Sequence, residues 1–395
     1  MPTADEVLIT DLALVQHGDI QELSAQVDGE RLWFQFPASL PLCLRAELFF
    51  PVALQEAMVR GVPLRLAEPY TISDRLLDNL ATLQAILTTW NSEDFRVVPI
   101  HAASTSAAQA QAQDWTISCY SGGIDSSYTY SRHRDQISHL LLVQGFDSES
   151  DDDSWRQNIA ARRAFAESEG KQLIPVACNV RQFIMQRKLS WGVSHGSLLA
   201  ALGVSLSAKR LLIPSSFTYS ELFPWGSHPL LDCCWSTEAT EVIHHGLEAS
   251  RTEKTEYIAA HQNILDHLQV CWRSVDQNCG NCPKCVRTSL ALHLLGKSSR
   301  SLPVYQDISQ LRWLKPGNHA SLAFTDDLIG FCLERGADDL ARQLLRYRKH
   351  YLLKYHSAEI IKVLFGRLAR AVSRRFWPKD WHQDRAKIHA GKSWN

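Results

Sequence analysis

From Trp115 onward the sequence alternates short apolar runs with stretches of helical character, and this alternation limits the folds open to the chain. Strands are predicted at 116–120, 139–146, 172–178 and 210–214. Helices are predicted between them at 125–134, 155–169 and 196–208. Strands separated by helices of this length need crossover connections, which give parallel pairing. We therefore expect an α/β fold in which helices cover both faces of a parallel twisted sheet.

The 395 residues exceed the usual length of one compact domain. The predicted domains are residues 1–112, 113–300 and 301–395. The first is expected to be an accessory α+β unit, because strand-like runs precede a helical period over 73–90. The Ala-, Ser- and Gln-rich stretch 102–113 predicts a linker or an exposed turn. The last region predicts helices and turns strongly basic after Ala341.

Composition and charge exclude several classes of protein. The formal net charge is −1, so nothing global indicates a nucleic-acid or membrane protein. No apolar run approaches the roughly 20 residues that span a bilayer, and the N-terminus lacks a signal-peptide pattern. Four of the ten cysteines crowd between Cys271 and Cys285, which is typical of a metal site in a reducing compartment. The expectation is a soluble, cytoplasmic protein without a membrane partner.

The first predicted strand of the α/β region runs into the string Ser121-Gly122-Gly123-Ile124-Asp125-Ser126-Ser127, and a helix leaves it. Two glycines let the backbone turn sharply and approach a ligand without Cβ interference. Successive amides, the helix N-terminus and the hydroxyls of Ser121, Ser126 and Ser127 would suit phosphate oxygens. Asp125 is placed either to cap the helix or to hold a Mg²⁺ that bridges phosphates. The string is neither Walker A nor GxGxxG, and the alternative is an ordinary Gly-Gly turn with a helix cap.

A second motif is a cluster of four cysteines with Gly280 inside it: Cys271, Cys279, Cys282 and Cys285. Four thiolates suit tetrahedral Zn²⁺ at about 2.3 Å each, and a closed shell of four leaves no position for a substrate. The spacing therefore predicts a structural zinc site. An iron–sulfur cluster is the competing metal group.

Together the two motifs resemble the ATP pyrophosphatase (PP-loop) superfamily, and within it 7-cyano-7-deazaguanine synthase of the queuosine pathway. That family has an SGGxDS loop followed by a C-x7-C-G-x-C-x2-C zinc motif. The segment Pro229-Leu-Leu-Asp232-Cys233 loosely resembles a Pro-Asp-Cys segment of the family, and Lys254 resembles a lysine before its last helices. The resemblance covers about residues 114–296 and implies an adenine nucleotide alpha hydrolase-like fold.

The resemblance also implies a chemistry: ATP is split between its α- and β-phosphates, and AMP is left on an oxygen of the substrate. ATP, Mg²⁺ and Zn²⁺ are the implied cofactors, and a deazapurine carboxylate is the implied substrate. The synthase has no counterpart to residues 1–112 or to the basic tail. Larger synthase-like proteins of the anti-phage systems type IV CBASS and Qat are more similar in layout, and there the related chemistry is thought to attach a deazaguanine to a partner protein.

Four further polar residues are candidates for the chemistry. Arg251 and Lys254 are candidate pyrophosphate clamps, with an exposed salt-bridged pair on a helix as the alternative. The segment 215–232 follows the fourth strand and should line the pocket, because ligands bind outside the carboxyl ends of parallel strands. His228 and Asp232 are its polar candidates for catalysis. Hydrogen bonding that orders a long loop is the alternative for both.

Weaker candidates complete the predicted site. Asp147 ends the second strand and is a candidate ligand of ribose or Mg²⁺. His195 is expected to cap the helix from 196, with contact to a ligand as the alternative. Cys233 and Cys234 are candidate thiol nucleophiles, although a packing role is favoured because no distinctive charged neighbourhood surrounds them.

The basic tail and the two motifs together define the functional hypotheses. Trp377 and Trp381 lie among the basic residues, which is typical of nucleic-acid or acidic-partner binding, with a solvated helix face as the alternative. The leading hypothesis is an ATP-dependent ligase that activates a deazapurine carboxylate for amide or nitrile formation or for conjugation to a partner protein. The alternatives are a tRNA-modifying enzyme of the same superfamily and a non-catalytic, zinc-stabilised adaptor.

Overall fold

The computed structural model describes residues 6–106, 113–146, 151–274 and 277–376, with side chains as far as residue 357. The strands are β1 (Val7–His17), β2 (Ile20–Val27), β3 (Glu30–Pro37), β4 (Leu64–Leu66), β5 (Thr71–Ser73), β6 (Ile100–His101), β7 (Ala103–Thr105), β8 (Gln113–Cys119), β9 (His139–Val143), β10 (Gln172–Cys178), β11 (Ala208–Pro214) and β12 (Glu241–His245). The helices are α1 (Phe50–Arg60), α2 (Asp74–Trp90), α3 (Ile124–Arg132), α4 (Asp152–Ser168), α5 (Val180–Gln186), α6 (Trp191–Ser205), α7 (Pro229–Asp232), α8 (Arg251–Ile258), α9 (Gln262–Asp266), α10 (Pro283–Leu294), α11 (His319–Glu334) and α12 (Asp338–Phe376).

One large sheet contains ten of these strands in the order β12-β11-β8-β9-β10-β3-β2-β1-β4-β6. Every neighbouring pair from β12 to β10 is parallel. β8 lies between β9 and β11. The chain passes from β8 through β9 to β10 on one side and then returns to form β11 on the other side of β8. The predicted α/β class is confirmed, since the sheet is mostly parallel and helices flank it.

The N-terminal strands extend the same sheet instead of forming one of their own. β1, β2 and β3 form an antiparallel meander, and β3 then pairs antiparallel with β10. Asp28 and Gly29 join β2 to β3 with φ of +51° and +78°, the left-handed conformation that a two-residue hairpin turn requires. The predicted boundary near residue 112 therefore divides the chain within one continuous sheet.

Helices cover both faces of the parallel strands, as the alternation of side chains requires. In β11, Leu211 and Ile213 belong to the core that contains Leu198 of α6 and the N-terminal strands. Leu212 points to the other face and packs into the core with Phe165 of α4. The strands are thus buried on both sides, which explains their continuous apolar sequences.

The described part of the C-terminal region, residues 301–376, is mostly helical. α10 and α11 share an apolar core with the start of α12, in which Val286, Leu290, Leu328, Cys332 and Leu344 are buried. A smaller cluster joins Phe217, from the loop after β11, to Phe324 of α11. Residues 301–344 therefore pack against the α/β region at the end of its strands.

Two local predictions differ from the structure. The expectation that His195 caps a helix was wrong, because α6 begins at Trp191 and the His195 Nδ1 atom lies 3.2 Å from the Trp191 carbonyl inside it. Part of the predicted linker is strand β7, which pairs with β5, while residues 107–112 lie outside the described chain. Asp147, Trp377 and Trp381 also lie outside the described residues.

Candidate functional site

The glycine-rich string leaves the carboxyl end of β8, the central strand of the parallel part. The chain crosses from β8 to β9 on one side, and β11 lies on the other. In open α/β sheets the crevice at such a reversal, outside the carboxyl ends of the strands, is where ligands bind. The sequence motif and the topology thus indicate the same position.

Gly122 gives the loop its shape. Its φ is +84°, and a Cβ at this position would lie 1.7 Å from Nη1 of Arg162, a residue of α4. The Gly122 carbonyl accepts a hydrogen bond of 2.8 Å from the Gln269 amide. Only glycine fits a backbone held this closely on two sides. Gly123, with an ordinary φ of −74°, is the N-cap of α3.

The serines of the string do not all face the same way. Ser121 is half-buried, and its Oγ accepts from the Gly123 amide at 3.4 Å. Ser126 Oγ donates to the Gly123 carbonyl at 3.1 Å. Ser127 is fully buried, so its hydroxyl, predicted as a donor to a ligand, is enclosed by the protein in this conformation. Of the seven residues of the string, Ser121, Gly123 and Asp125 are the ones that are not buried.

Asp125, in the first turn of α3, is the centre of a charge cluster. Its Oδ2 accepts from Arg251 Nη2 at 2.7 Å and from Ser216 Oγ at 3.1 Å. Its Oδ1 lies 3.8 Å from Lys254 Nζ, which also donates to the Ser215 carbonyl at 2.9 Å. The structure therefore brings together three predicted site residues that stand up to 129 positions apart in the chain, from Asp125 to Lys254.

The two cations of α8 are not an exposed pair. Arg251 and Lys254 are three residues apart and share one face of the helix, and Lys254 is only 1% exposed. Burial lowers the pKa of Lys254, and the Asp125 carboxylate opposes that shift. A capping box between Ser250 and Glu253 starts α8 and fixes the face that it presents to the loop.

The C-terminal region adds residues that the sequence analysis missed. Phe324 of α11 lies beneath two guanidinium groups, with its ring centroid 4.9 Å from Cζ of Arg251 and 4.4 Å from Cζ of Arg287. Asp327 accepts from the Thr252 amide at 3.0 Å and from its hydroxyl at 2.6 Å. Burial, and then the neighbouring Arg251, lower the pKa of Arg287 to about 9.

Arg162 is a second cation that no motif indicated. It is 5% exposed, and its Nη1 donates to the His267 carbonyl at 2.7 Å. Within the described part of the chain it forms no ion pair, and its Nε has no hydrogen-bond partner. Burial lowers the pKa of Arg162. A positive charge therefore lies directly behind Gly122.

The contacts of His228 and Asp232 are those expected of residues that order a loop. Asp232 is 0% exposed and accepts from Ser227 Oγ at 2.9 Å, and its Oδ2 lies 2.7 Å from His244 Nδ1. His228 Nδ1 accepts from the Leu230 amide at 3.1 Å and so caps α7. Both carboxylate oxygens of Asp232 are therefore engaged within the protein, since Oδ1 also accepts from the His228 amide at 3.3 Å, and the predicted catalytic role of both residues gains no support from the geometry.

The two adjacent cysteines after α7 differ from each other. Cys234 is buried, as a packing role requires, whereas Cys233 is exposed. The hydrogen bond from Cys234 lowers the pKa of the Cys233 thiol to about 6. A packing role therefore fits only Cys234.

The four predicted metal ligands come together. The sulfur atoms of Cys271, Cys279, Cys282 and Cys285 all lie within 4.8 Å of one another. Backbone amides point at three of the sulfurs, each with an N···S distance of 3.4 Å. Gly280 has a φ of +71°, the left-handed turn that brings the ligands round one point. Four thiols in this arrangement fit a tetrahedral metal ion such as zinc.

The cysteine cluster is attached to the glycine loop. Asn278, a buried residue of the cluster, accepts from the amides of Val270 and Cys271 at 2.9 and 3.0 Å. Its side-chain amide donates to the Leu268 carbonyl at 2.9 Å. Gln269, inside this segment, is the residue whose amide holds the Gly122 carbonyl. The metal site thus supports the loop from behind.

The glycine loop, the cations of α8 and α10 and the cysteine cluster lie around one end of the parallel strands. None of the helices in the described ranges is both long and apolar enough to cross a membrane. Compared with protein-family models, with curated proteins and with solved structures, the chain matches none.

Proposed function

We propose that this chain is an ATP-dependent ligase of the PP-loop type, similar to 7-cyano-7-deazaguanine synthase, that adenylates a deazapurine carboxylate. The observation that carries the proposal is the buried contact of Arg251 and Lys254 with Asp125, at the start of the helix that follows the glycine loop. Among the groups in direct contact, two cations share one carboxylate there, which is a local surplus of positive charge beside the loop amides. Glu248 and Glu221 attract Lys254 more weakly than Asp125 does. Polyphosphate is the ligand that such a surplus suits best.

The charge behind the loop strengthens this argument. Arg162 is buried against Gly122 and has no carboxylate partner among the described residues. Burying an unpaired charge costs several kcal/mol, so such a charge is normally compensated by an ion. Phosphates bound on the loop would compensate it. An ordinary Gly-Gly turn, with no anion bound, would not compensate the burial of this cation.

The proposed reaction has two steps. A carboxylate oxygen attacks the α-phosphorus of ATP, and the bond from that phosphorus to the bridging oxygen of the β-phosphate breaks, with its electron pair leaving on pyrophosphate. An amine nitrogen then attacks the acyl carbon, AMP leaves, and the nitrogen loses a proton. The loop amides, the α3 N-terminus, Arg251 and Lys254 stabilise the charge that gathers on pyrophosphate.

The residues also fit the implied metal ions. Asp125 Oδ1 is buried without a hydrogen-bond partner among the described residues, so it can supply one oxygen ligand to Mg²⁺. Mg²⁺ commonly takes one or two carboxylates together with substrate phosphates, whose charge it neutralises. The four-cysteine cluster would hold Zn²⁺ in a structural role, because all four of its positions are filled.

The test is an assay of the metal-loaded, full-length chain with ATP and 7-deazaguanine-7-carboxylate, with and without ammonium ions. We expect AMP and pyrophosphate, and about a 10²–10³-fold slower release in Asp125→Asn. Asp153→Asn is the matched control, because Asp153 lies in the first turn of α4, away from the loop. ADP and phosphate as products, or equal rates in the two variants, would contradict the proposal.

The same assay separates the alternative functions. A tRNA-modifying enzyme would form AMP only when RNA is present and would ignore the deazapurine carboxylate. A non-catalytic adaptor would release no AMP under any condition, and its partner binding would be the same in Asp125→Asn as in the unchanged protein.

A further inference from the structure

Arg287 is a buried cation to which the proposed reaction assigns no role. It lies in α10, two residues after Cys285, and is 8% exposed. Its guanidinium lies over the Phe324 ring. Among the residues that the structure describes, no carboxylate pairs with it and no group accepts a hydrogen bond from it. An aromatic face alone compensates a buried charge only in part.

The acidic residues near Arg287 are already engaged. Asp125 is bound by Arg251, and Asp327 is bound by the amide and the hydroxyl of Thr252. Arg251, a like charge, lies against the same phenyl ring as Arg287. Cys282 of the cysteine cluster is a further negative charge that acts on Arg287, and its sulfur is committed to the proposed metal site. A guanidinium kept in such surroundings has an anion as its natural partner.

We propose that Arg287 and Arg251, with the Phe324 ring between the helices that carry them, form an oxyanion subsite adjoining the glycine loop. This subsite rests on the proposed function for its ligand, because the oxyanion is either the carboxylate of the acyl substrate or a phosphate of ATP. Both are planar or tetrahedral groups of oxygens that a guanidinium binds through paired N–H donors.

The proposal gives the C-terminal helices a part in the site. Phe324 and Asp327 come from α11, and Phe324 stacks on Phe217 of the loop after β11, with ring centroids 5.3 Å apart. Asp327 holds the start of α8, the helix that carries Arg251. Residues 301–344 then form the side of the subsite against which the Arg287 guanidinium packs.

The test measures binding instead of turnover. Inorganic pyrophosphate and 7-deazaguanine-7-carboxylate are titrated separately, by calorimetry, into the metal-loaded full-length chain and into Arg287→Met. We expect one of the two anions to bind roughly 10- to 100-fold more weakly, as the loss of a charge-assisted hydrogen bond predicts. The anion that weakens identifies the source of the oxyanion. Arg287→Lys, which keeps the charge, should lose less.

Arg335→Met is the matched control. Arg335 also lies over a phenyl ring, that of Phe331, but it is paired with Glu256 at 2.7 Å. Its removal should leave both anions bound as before. If Arg287→Met is folded and binds both anions normally, the subsite does not exist. If the variant instead loses its metal, Arg287 serves the cysteine cluster, and the proposal is again overturned.

The outcome is distinguishable from failure of the proposed function. If the unchanged protein forms AMP while Arg287→Met and Arg287→Lys bind both anions as it does, only the subsite falls. If the unchanged protein neither binds ATP nor forms AMP, the proposed function falls first. If Arg287→Met does not fold, the titrations of Arg287→Lys decide. Unaltered binding of both anions by Arg287→Lys, together with unaltered AMP formation, would refute a contact through paired donors.

Discussion

Replacing Gly122 with alanine should destabilise the protein far more than the same change at Gly123. At Gly122 the backbone φ is +84°, where an alanine costs about 1–2 kcal/mol. The new Cβ would also lie 1.7 Å from Arg162 Nη1. That guanidinium is buried, so it can move only by giving up its 2.7 Å bond to the His267 carbonyl, a loss of about 1.5–3 kcal/mol.

The neighbouring glycine supplies the comparison. Gly123 has a φ of −74°, and the atoms closest to a Cβ there are Ser121 Oγ at 3.4 Å and Gln269 O at 3.8 Å. Gly123→Ala should therefore cost no more than about 1 kcal/mol, the usual scale for an N-cap position. Urea unfolding followed by tryptophan fluorescence measures both variants. Equal stabilities would refute the claim that Gly122 is held between Arg162 and Gln269.

Three further predictions follow from the same contacts. Removing the metal with a chelator should lower the melting temperature and weaken ATP binding in calorimetry, because the segment before Cys271 holds the glycine loop. Lys254→Met should slow AMP release by about 10²–10³-fold and change stability little, because loss of the bond to the Ser215 carbonyl is offset by removal of a buried cation whose pKa burial lowers. Burial raises the pKa of Glu238, but hydrogen bonds from Ser73 Oγ and the Arg75 amide outweigh this and hold it below 4.5. Glu238→Gln should thus cost roughly 0.5–1 kcal/mol at pH 7 in urea unfolding, and the difference should vanish as the pH falls through the native pKa, because protonation removes the same charge.

The features that could be predicted from the sequence are those encoded locally. Strands β9, β10 and β11 follow from runs of apolar residues, and β10 was predicted at its observed bounds, Gln172–Cys178. Strand β12, in which only Val242 and Ile243 are apolar, was not predicted. The four cysteines converge because their spacing allows one turn, at Gly280, to gather three of them. The glycine string shapes its own turn. In each case the interacting residues lie within about fifteen positions of one another.

The joining of the N-terminal strands to the large sheet could not be predicted in that way. The alternation in β3 indicates a strand with one buried face, but it does not say which strand lies beside it. β3 meets β10 through pairs such as Phe34 with Cys178, which lie 144 residues apart. Asp28-Gly29 was a usable signal for the β2–β3 hairpin. No local sequence signal of this kind predicts that two strands distant in the chain pair at their edges.

Two cations of the site, Arg162 and Arg287, could not be recognised from the local sequence. Both lie within helices and outside any motif, and each would be interpreted from sequence as solvated. They acquire significance only because helix packing buries them where no carboxylate of the described residues pairs with them. The overall charge of −1 gives no indication of this, since the surplus is local.

The conformation of the glycine loop is likewise a tertiary property. The same seven residues on a surface could turn in several ways, because glycine at two successive positions leaves the backbone free. Here Arg162 lies against one side of Gly122, and the amide of Gln269, in the segment that leads into the cysteine cluster, holds its carbonyl. The conformation is set before a ligand arrives, so a phosphate would find its donors already oriented and would not have to order the loop. A loop ordered only by its ligand would instead tolerate alanine at Gly122 in the unliganded protein.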